Sequence, residues 1–145
     1  MLNSKYARRK VPGWAPLNLL EFIILLFYMI KKILFFIYLL LITLLSLLPS
    51  QDLPDVKLFL HADKVIHLSM YAGFTFLLLW AWPQKFTGIK QLLPLMAIIL
   101  WGLLMESLQY FTHLGRTFDI TDESANILGF LPGWLGWKIV SRFNA

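Results

Sequence analysis

Side chains that could carry out acid–base or binding chemistry lie at the ends of long hydrophobic segments in this sequence. A histidine beside a carboxylate can act as a general base, and His67 lies one helical turn after Asp63. Lysine binds phosphate as a point charge and arginine binds it through a bidentate fork, which makes Lys64 and Arg116 candidates for an anionic ligand. Carboxylates and imidazole also bind divalent cations. The candidate ligands for a cation are Asp63, His67, Glu106 and Asp122.

The candidate site divides into catalytic and substrate-binding residues. The catalytic candidates are His67, Asp63 and Glu106. The substrate-binding candidates are Lys64, Tyr71, Gln109, Arg116, Asp119, Asp122 and Asn126. The sequence contains neither an H-E-x-x-H metal motif nor a G-x-S-x-G elbow, and it has no cysteine to act as a thiolate. We therefore expect no bound metal or other cofactor, with a divalent cation as the alternative.

Helical spacing predicts that these side chains form stripes on three different helices. At ~100° per residue, positions i, i+3 or i+4, and i+7 or i+8 share one face of a helix. The stripes are Asp63, His67 and Tyr71; Glu106, Gln109 and His113; and Asp122, Asn126, Gly129 and Gly133. Polar stripes that face lipid are costly, so we expect all three to turn inward to a common pocket. The small residues of the third stripe should allow close packing on a neighbouring helix.

The elements that would position these stripes are transmembrane helices. The chain has 145 residues, of which 59% are hydrophobic and 14% charged, whereas soluble domains are about 45–50% apolar and about a quarter charged. The spans are expected at about 33–48, 64–82, 91–111 and 123–139. Residues 17–30 are too short for a typical span and read as an amphipathic helix on the membrane face, ending at Lys31 and Lys32. The prediction is an all-α membrane protein: a four-transmembrane-helix bundle (33–145) preceded by a basic lead and an N-terminal interfacial helix (1–32).

The distribution of basic residues predicts the orientation in the membrane. With both termini in the cytoplasm, only three of the 13 Lys and Arg residues fall outside, namely Lys57, Lys64 and Arg116. Of the eight acidic residues, this orientation places only Glu21 on the cytoplasmic side. The net charge of +5 flanks hydrophobic segments, which argues against a nucleic-acid partner and for membrane lipids. We expect a multi-pass protein of the bacterial inner membrane with the polar stripes at its outer face.

Each polar residue also has a structural interpretation. Glu106 could form an ion pair with Arg116, Lys64 or protonated His67, and Asp119 and Asp122 are typical turn and N-cap residues. Asn126 suggests an interhelical hydrogen bond. If all these residues act in this way, the chain is a non-enzymatic membrane scaffold.

At the same positions the chain resembles the VanZ-like family of small integral membrane proteins. The resemblance covers about 33–140 and rests on four short pieces in order. They are Ser46-Leu-Leu-Pro49-Ser50; Asp63-Lys64-Val-Ile-His67 with Tyr71; Glu106-Ser-Leu-Gln109; and Arg116, Asp119, Asp122 and Asn126 through Gly129 to Gly133. The resemblance implies a four-span helical membrane protein. It also links the chain to a family whose named member is associated with resistance to teicoplanin-type glycopeptide antibiotics.

The leading functional hypothesis is an extracytoplasmic polar pocket that engages the headgroup of an envelope lipid or of a lipid-linked cell-wall precursor. In this hypothesis Lys64 and Arg116 hold an anionic headgroup, while His67, oriented by Asp63, and Glu106 transfer any proton. The alternatives are the non-enzymatic scaffold and a metal-dependent intramembrane hydrolase or transferase. The spacing of the residues leaves open whether the chain is an enzyme.

Overall fold

The computed structural model describes residues 18–48, 62–82, 88–112 and 119–143, and these ranges contain helices but no strand. The helices are α1 (Leu19–Leu47), α2 (Ala62–Ala81), α3 (Leu92–Phe111) and α4 (Ile120–Phe143). A short 3₁₀ turn, Gly88–Gln91, leads into α3. The prediction of an all-helical chain is confirmed for the described residues.

Three of these helices, α1, α2 and α3, are long and apolar enough to cross a membrane. Their composition is consistent with a membrane-embedded protein. Helix α4 contains the segment predicted as the fourth span, and its 24 residues correspond to about 36 Å. It is less apolar than the others because its first two turns carry acidic and amide side chains and its second half carries glycines.

Helix α1 differs from the two separate elements expected at 17–30 and 33–48. It is one continuous helix of 29 residues that includes Lys31 and Lys32. Its start is fixed by a capping box, in which Asn18 Oδ1 accepts the N–H of Glu21 at 2.8 Å and the Glu21 carboxylate accepts the N–H of Asn18 at 3.2 Å. Lysine is a good helix former, and a pair of lysines therefore interrupts the apolar run without interrupting the helix.

Aromatic side chains surround these two lysines at the end of the bundle where α2 terminates. Lys31 Nζ lies 4.9 Å from the ring centroid of Trp80, and Lys32 Nζ lies 6.0 Å from that of Trp82. Trp82 also contacts Phe35 edge to face, with ring centroids 5.2 Å apart. Basic and aromatic side chains of this kind are typical of a membrane–water interface.

Helix α2 is the centre of the fold and contacts the other three helices. Its Tyr71 and Phe74 are buried with Phe35 and Ile42 of α1 and Ile98 of α3. A polar tie adds to this apolar packing, since the hydroxyl of Tyr38 donates to the backbone carbonyl of Met70 at 2.9 Å. Most of the remaining apolar side chains of α1 face outward.

The closest helix pair is α2 with α4, and two glycines of α4 make the approach possible. A Cβ at Gly129 would lie 2.6 Å from the carbonyl oxygen of Leu68, and a Cβ at Gly133 would overlap the carbonyl oxygen of Ala72. Because the opposing atoms belong to the backbone of α2, they cannot rotate away. The small residues of the predicted third stripe therefore serve the packing that was expected of them.

Candidate functional site

The first turns of α2 and α4 and the last turns of α3 meet at one end of the bundle, which we call the polar end. The structure brings together Asp63, Lys64, His67, Glu106, Asp119, Asp122 and Asn126 there. Arg116 and His113 were also expected at this end and lie outside the described residues. Connected hydrogen bonds and ion pairs join the three helices at this end.

Lys64 forms ion pairs with three carboxylates. Its Nζ lies 2.8 Å from Asp119 Oδ2 and 3.1 Å from Asp63 Oδ2, and it also contacts Asp122 Oδ1. The lysine side chain is 23% exposed, so this cation is only partly hydrated. Among the described residues, one ammonium faces three carboxylates, so the charge that they give the surroundings of Lys64 is negative. This environment is less suited to an anionic ligand than the sequence suggested.

Asp119 connects this ion cluster to α3 and to the start of α4. Its Oδ1 accepts the backbone N–H of Thr121 at 2.8 Å and the Thr121 hydroxyl at 2.7 Å, which caps α4. Its own backbone N–H donates to Glu106 Oε2 at 3.3 Å. The hydrogen bonds from Lys64 and then from Thr121 stabilise the ionised carboxylate and hold the pKa of Asp119 well below its usual range.

His67 is held by an amide rather than by the carboxylate of Asp63. Its Nδ1 lies 3.0 Å from Asn126 Oδ1, and the Asn126 amide nitrogen donates to Glu123 Oε2 at 3.2 Å. An amide oxygen can only accept, so Nδ1 of His67 is the donor and carries a proton. The other ring nitrogen, Nε2, lies 3.8 Å from Asp122 Oδ2. The imidazole thus has Nδ1 fixed by a hydrogen bond, whereas Nε2 makes no hydrogen bond to the described residues.

Two glutamates are almost completely buried beside this chain of contacts. Glu106 is 2% exposed and Glu123 is 3% exposed. Among the described residues, Glu123 Oε1 has no hydrogen-bond partner. Sequence reasoning missed Glu123 because an acidic residue in the first turn of a helix normally interacts with the helix dipole in solvent. Its i, i+3 spacing to Asn126 was the signal that could have indicated it.

Two candidate residues pack the helices instead of joining the network. Tyr71 is 2% exposed and belongs to the apolar core with Phe74. The side-chain amide of Gln109 donates to the backbone carbonyl of Ser46 at 2.5 Å, which ties the end of α3 to the last turn of α1. Their geometry favours a structural role for both residues over contact with a substrate.

Among the residues that the structure describes, no group of three or more histidine and acidic side chains is arranged to hold a metal ion. Lys64 occupies the space between the aspartates, and a lysine ammonium is not a ligand for a cation. Comparison of the chain with family models, curated proteins and solved structures finds no match. The resemblance to the VanZ-like family therefore stays a prediction from the sequence.

Proposed function

We propose that this chain is a multi-pass protein of the bacterial inner membrane whose polar end engages the headgroup of an envelope lipid or of a lipid-linked cell-wall precursor. One observation carries the proposal: polar side chains of α2, α3 and α4 form a connected network at one end of helices whose outer surfaces are apolar. Ionisable groups at the edge of a bilayer are costly and usually functional. The basic flanks support cytoplasmic termini and an outward polar end, with α4 as the fourth span.

In this proposal His67 is the group that transfers a proton. Its Nδ1 is occupied by Asn126, so Nε2 is the nitrogen that accepts or returns a proton. Its side chain is 12% exposed, which keeps it within reach of a headgroup while limiting its contact with water. Asp122 Oδ2 lies 3.8 Å from Nε2, so a carboxylate faces the nitrogen that would carry the transferred proton.

The charge at the polar end favours a headgroup that contains an amine. A phosphate beside Lys64 would also meet the carboxylates of Asp63, Asp119 and Asp122, and like charges repel. A primary ammonium group, such as that of phosphatidylethanolamine, would instead complete the pairing of these carboxylates. The proposal therefore assigns the amine to the aspartates and the phosphate to Arg116, through its bidentate fork.

Reconstitution into nanodiscs tests this assignment. Binding of labelled phosphatidylethanolamine, phosphatidylglycerol and a polyprenyl phosphate is measured for the wild type, Arg116→Ala and Arg142→Ala. Arg142 lies in the last turn of α4 and serves as the matched control at the opposite end. We expect tightest binding of phosphatidylethanolamine by the wild type, a loss of about tenfold or more in Arg116→Ala, and no loss in Arg142→Ala. Equal binding by all three proteins would refute the headgroup role.

The family resemblance adds a cellular expectation. If the chain shares the property for which the named member of the VanZ-like family is known, its expression in a sensitive host should raise the inhibitory concentration of teicoplanin. His67→Ala, expressed at the same level, should abolish the increase. If His67→Ala gave an increase of the same size, the resistance would not depend on His67 at the polar end.

A non-enzymatic scaffold is the second candidate, and the ion cluster around Lys64 favours it. These pairs hold the first turn of α2 against the start of α4, and this is a structural role. The two functions predict opposite responses to His67→Ala and Glu106→Ala. A scaffold loses thermostability in detergent, whereas a headgroup site yields a folded protein, of equal or greater thermostability, that no longer binds lipid.

A further inference from the structure

Asn126 links the buried carboxylate of Glu123 to the imidazole of His67. Glu123 Oε2 accepts the amide N–H of Asn126 at 3.2 Å, and Asn126 Oδ1 accepts from His67 Nδ1 at 3.0 Å. Glu123 is 3% exposed and its Oε1 has no partner among the described residues. A carboxylate in this environment is costly, because buried polar groups without hydrogen bonds destabilise a fold. Helix packing alone would be served better by an apolar side chain.

The order of donors and acceptors shows what this carboxylate does. Glu123 Oε2 accepts from the Asn126 amide nitrogen, which holds the amide with its nitrogen toward Glu123 and its oxygen toward His67. An amide oxygen facing the imidazole then requires the proton on Nδ1. The hydrogen bond made by one ring nitrogen sets the state of the other, which leaves Nε2 as the basic nitrogen.

Space for this arrangement comes from Gly102 of α3. A Cβ at residue 102 would overlap Glu123 Oε2 and would lie 3.0 Å from the amide nitrogen of Asn126. The glycine therefore lets the pair of Glu123 and Asn126 press against the backbone of α3. Glu106, one turn further along α3, accepts from the Asp119 backbone instead and does not contact Asn126 through a hydrogen bond.

We propose that Glu123 is the positioning residue of the site: acting through Asn126, it holds His67 in the Nδ1–H tautomer with Nε2 free for the ligand. Gly102 contributes to the same arrangement because the absence of a side chain at this position leaves space for the Glu123 carboxylate. The benefit to proton transfer rests on the function proposed above. The tautomer itself is a property of the protein alone and is measurable without a substrate.

The test is ¹⁵N NMR of the full chain, labelled at histidine and reconstituted in lipid, at a pH where His67 is neutral. The His67 signal is identified by its loss in His67→Gln. The wild type should show Nδ1–H. Glu123→Leu removes the acceptor, frees the Asn126 amide to turn, and should convert the major form to Nε2–H. Glu123→Gln keeps an acceptor oxygen and should preserve Nδ1–H.

Two further variants complete the experiment. Glu106→Gln is the matched control, since Glu106 is equally buried but bonds to Asp119, and it should keep the wild-type tautomer. Gly102→Ala displaces the carboxylate without removing it and should give the Nε2–H form even if Glu123→Leu does not fold. An Nδ1–H tautomer in Gly102→Ala and in folded Glu123→Leu would overturn the proposal. A changed tautomer with unchanged lipid binding would show that headgroup binding does not depend on Nε2 of His67, and it would leave the positioning role intact.

Discussion

At the scale of single residues, Lys64 has the most consequential environment, because its ammonium is shared by Asp63, Asp119 and Asp122. Lys64→Met should therefore destabilise the protein, since it leaves three carboxylates close together without the ammonium that they share. The pair energies lie between those of exposed and buried ion pairs, and we expect a loss of about 1–3 kcal/mol. Thermal unfolding in detergent measures the change.

Lys138→Met is the matched control for this substitution. Lys138 lies toward the other end of α4 with its Nζ 4.6 Å from the ring centroid of Trp134, and it is exposed. Exposed cation–π contacts contribute about 0.5–1 kcal/mol, so the control should have the smaller effect. Equal losses of stability in the two variants would show that the ion pairs of Lys64 with the carboxylates do not stabilise the protein.

The carboxylate of Asp119 should make stability depend on acid pH. Its folded-state pKa is held low by Lys64 and Thr121, so its contribution to stability is complete at neutral pH. The contribution is lost as the pH falls from the ordinary aspartate pKa, about 3.9, through the lower folded-state value. Asp119→Asn keeps a capping oxygen and removes the charge. Its melting temperature should lie below the wild type at pH 7 and approach it near pH 2.

This measurement compares the two proteins at each pH, so the titration of carboxylates away from the ion cluster of Lys64 affects both alike. A difference between wild type and Asp119→Asn that stayed constant from pH 7 to pH 2 would rule out the ionised carboxylate as its cause.

At the scale of helices, the contact of α2 with α4 depends on glycines at defined positions. Gly133→Ala would place a methyl group against the backbone carbonyl of Ala72 and should cost about 1–3 kcal/mol by overpacking. Gly136→Ala is the matched control, because its Cβ would meet Phe76 Cδ2 at an ordinary 3.5 Å. Alanine also favours a helix over glycine by about 1 kcal/mol, so the control should be neutral or stabilising. Melting temperatures of both variants in detergent decide the matter.

The approximate positions of the helices could be predicted from the sequence. The continuity of α1 through its two lysines and the role of Glu123 could not. Apolar length and proline positions were sufficient to predict helices close to the observed ones. An apolar run interrupted by Lys31 and Lys32 gives no periodic signal for where a helix ends, so one helix was interpreted as two. Glu123 was missed because its burial depends on Gly102 of a different helix.

At the scale of the whole molecule, the proposed four-span topology has a direct test. Because the chain lacks cysteine, single cysteines can be introduced without background. Ser124→Cys lies near the polar end of α4 and Ser141→Cys near its other end. If α4 crosses the membrane with the polar end outside, a membrane-impermeant maleimide should label Ser124→Cys in intact cells and Ser141→Cys only after permeabilisation. Labelling of both cysteines in intact cells would exclude α4 as a span.

The candidate site shows which parts of a tertiary arrangement helical spacing can predict. Residues such as His67, Glu106 and Asn126 were expected at one end of the bundle because polar stripes on neighbouring helices turn inward. His67 contacts Asn126 there, and Glu106 accepts from the backbone of Asp119. The partner of each residue was not predictable. Gln109 bonds to the backbone of α1, and His67 bonds to Asn126 rather than Asp63, because helix rotation and tilt decide these pairings.

The unbroken α1 has a consequence for the lipid around the protein. Its 29 residues extend about 43 Å, whereas the hydrocarbon core of a bilayer is about 30 Å thick. A hydrophobic helix longer than its membrane tilts or thickens the bilayer locally, and the lysines in α1 can reach the headgroups through their flexible side chains. In the proposed topology α1 is therefore longer than the hydrocarbon core that it would cross, which is positive hydrophobic mismatch. The tilt of α1 should decrease in bilayers of longer acyl chains.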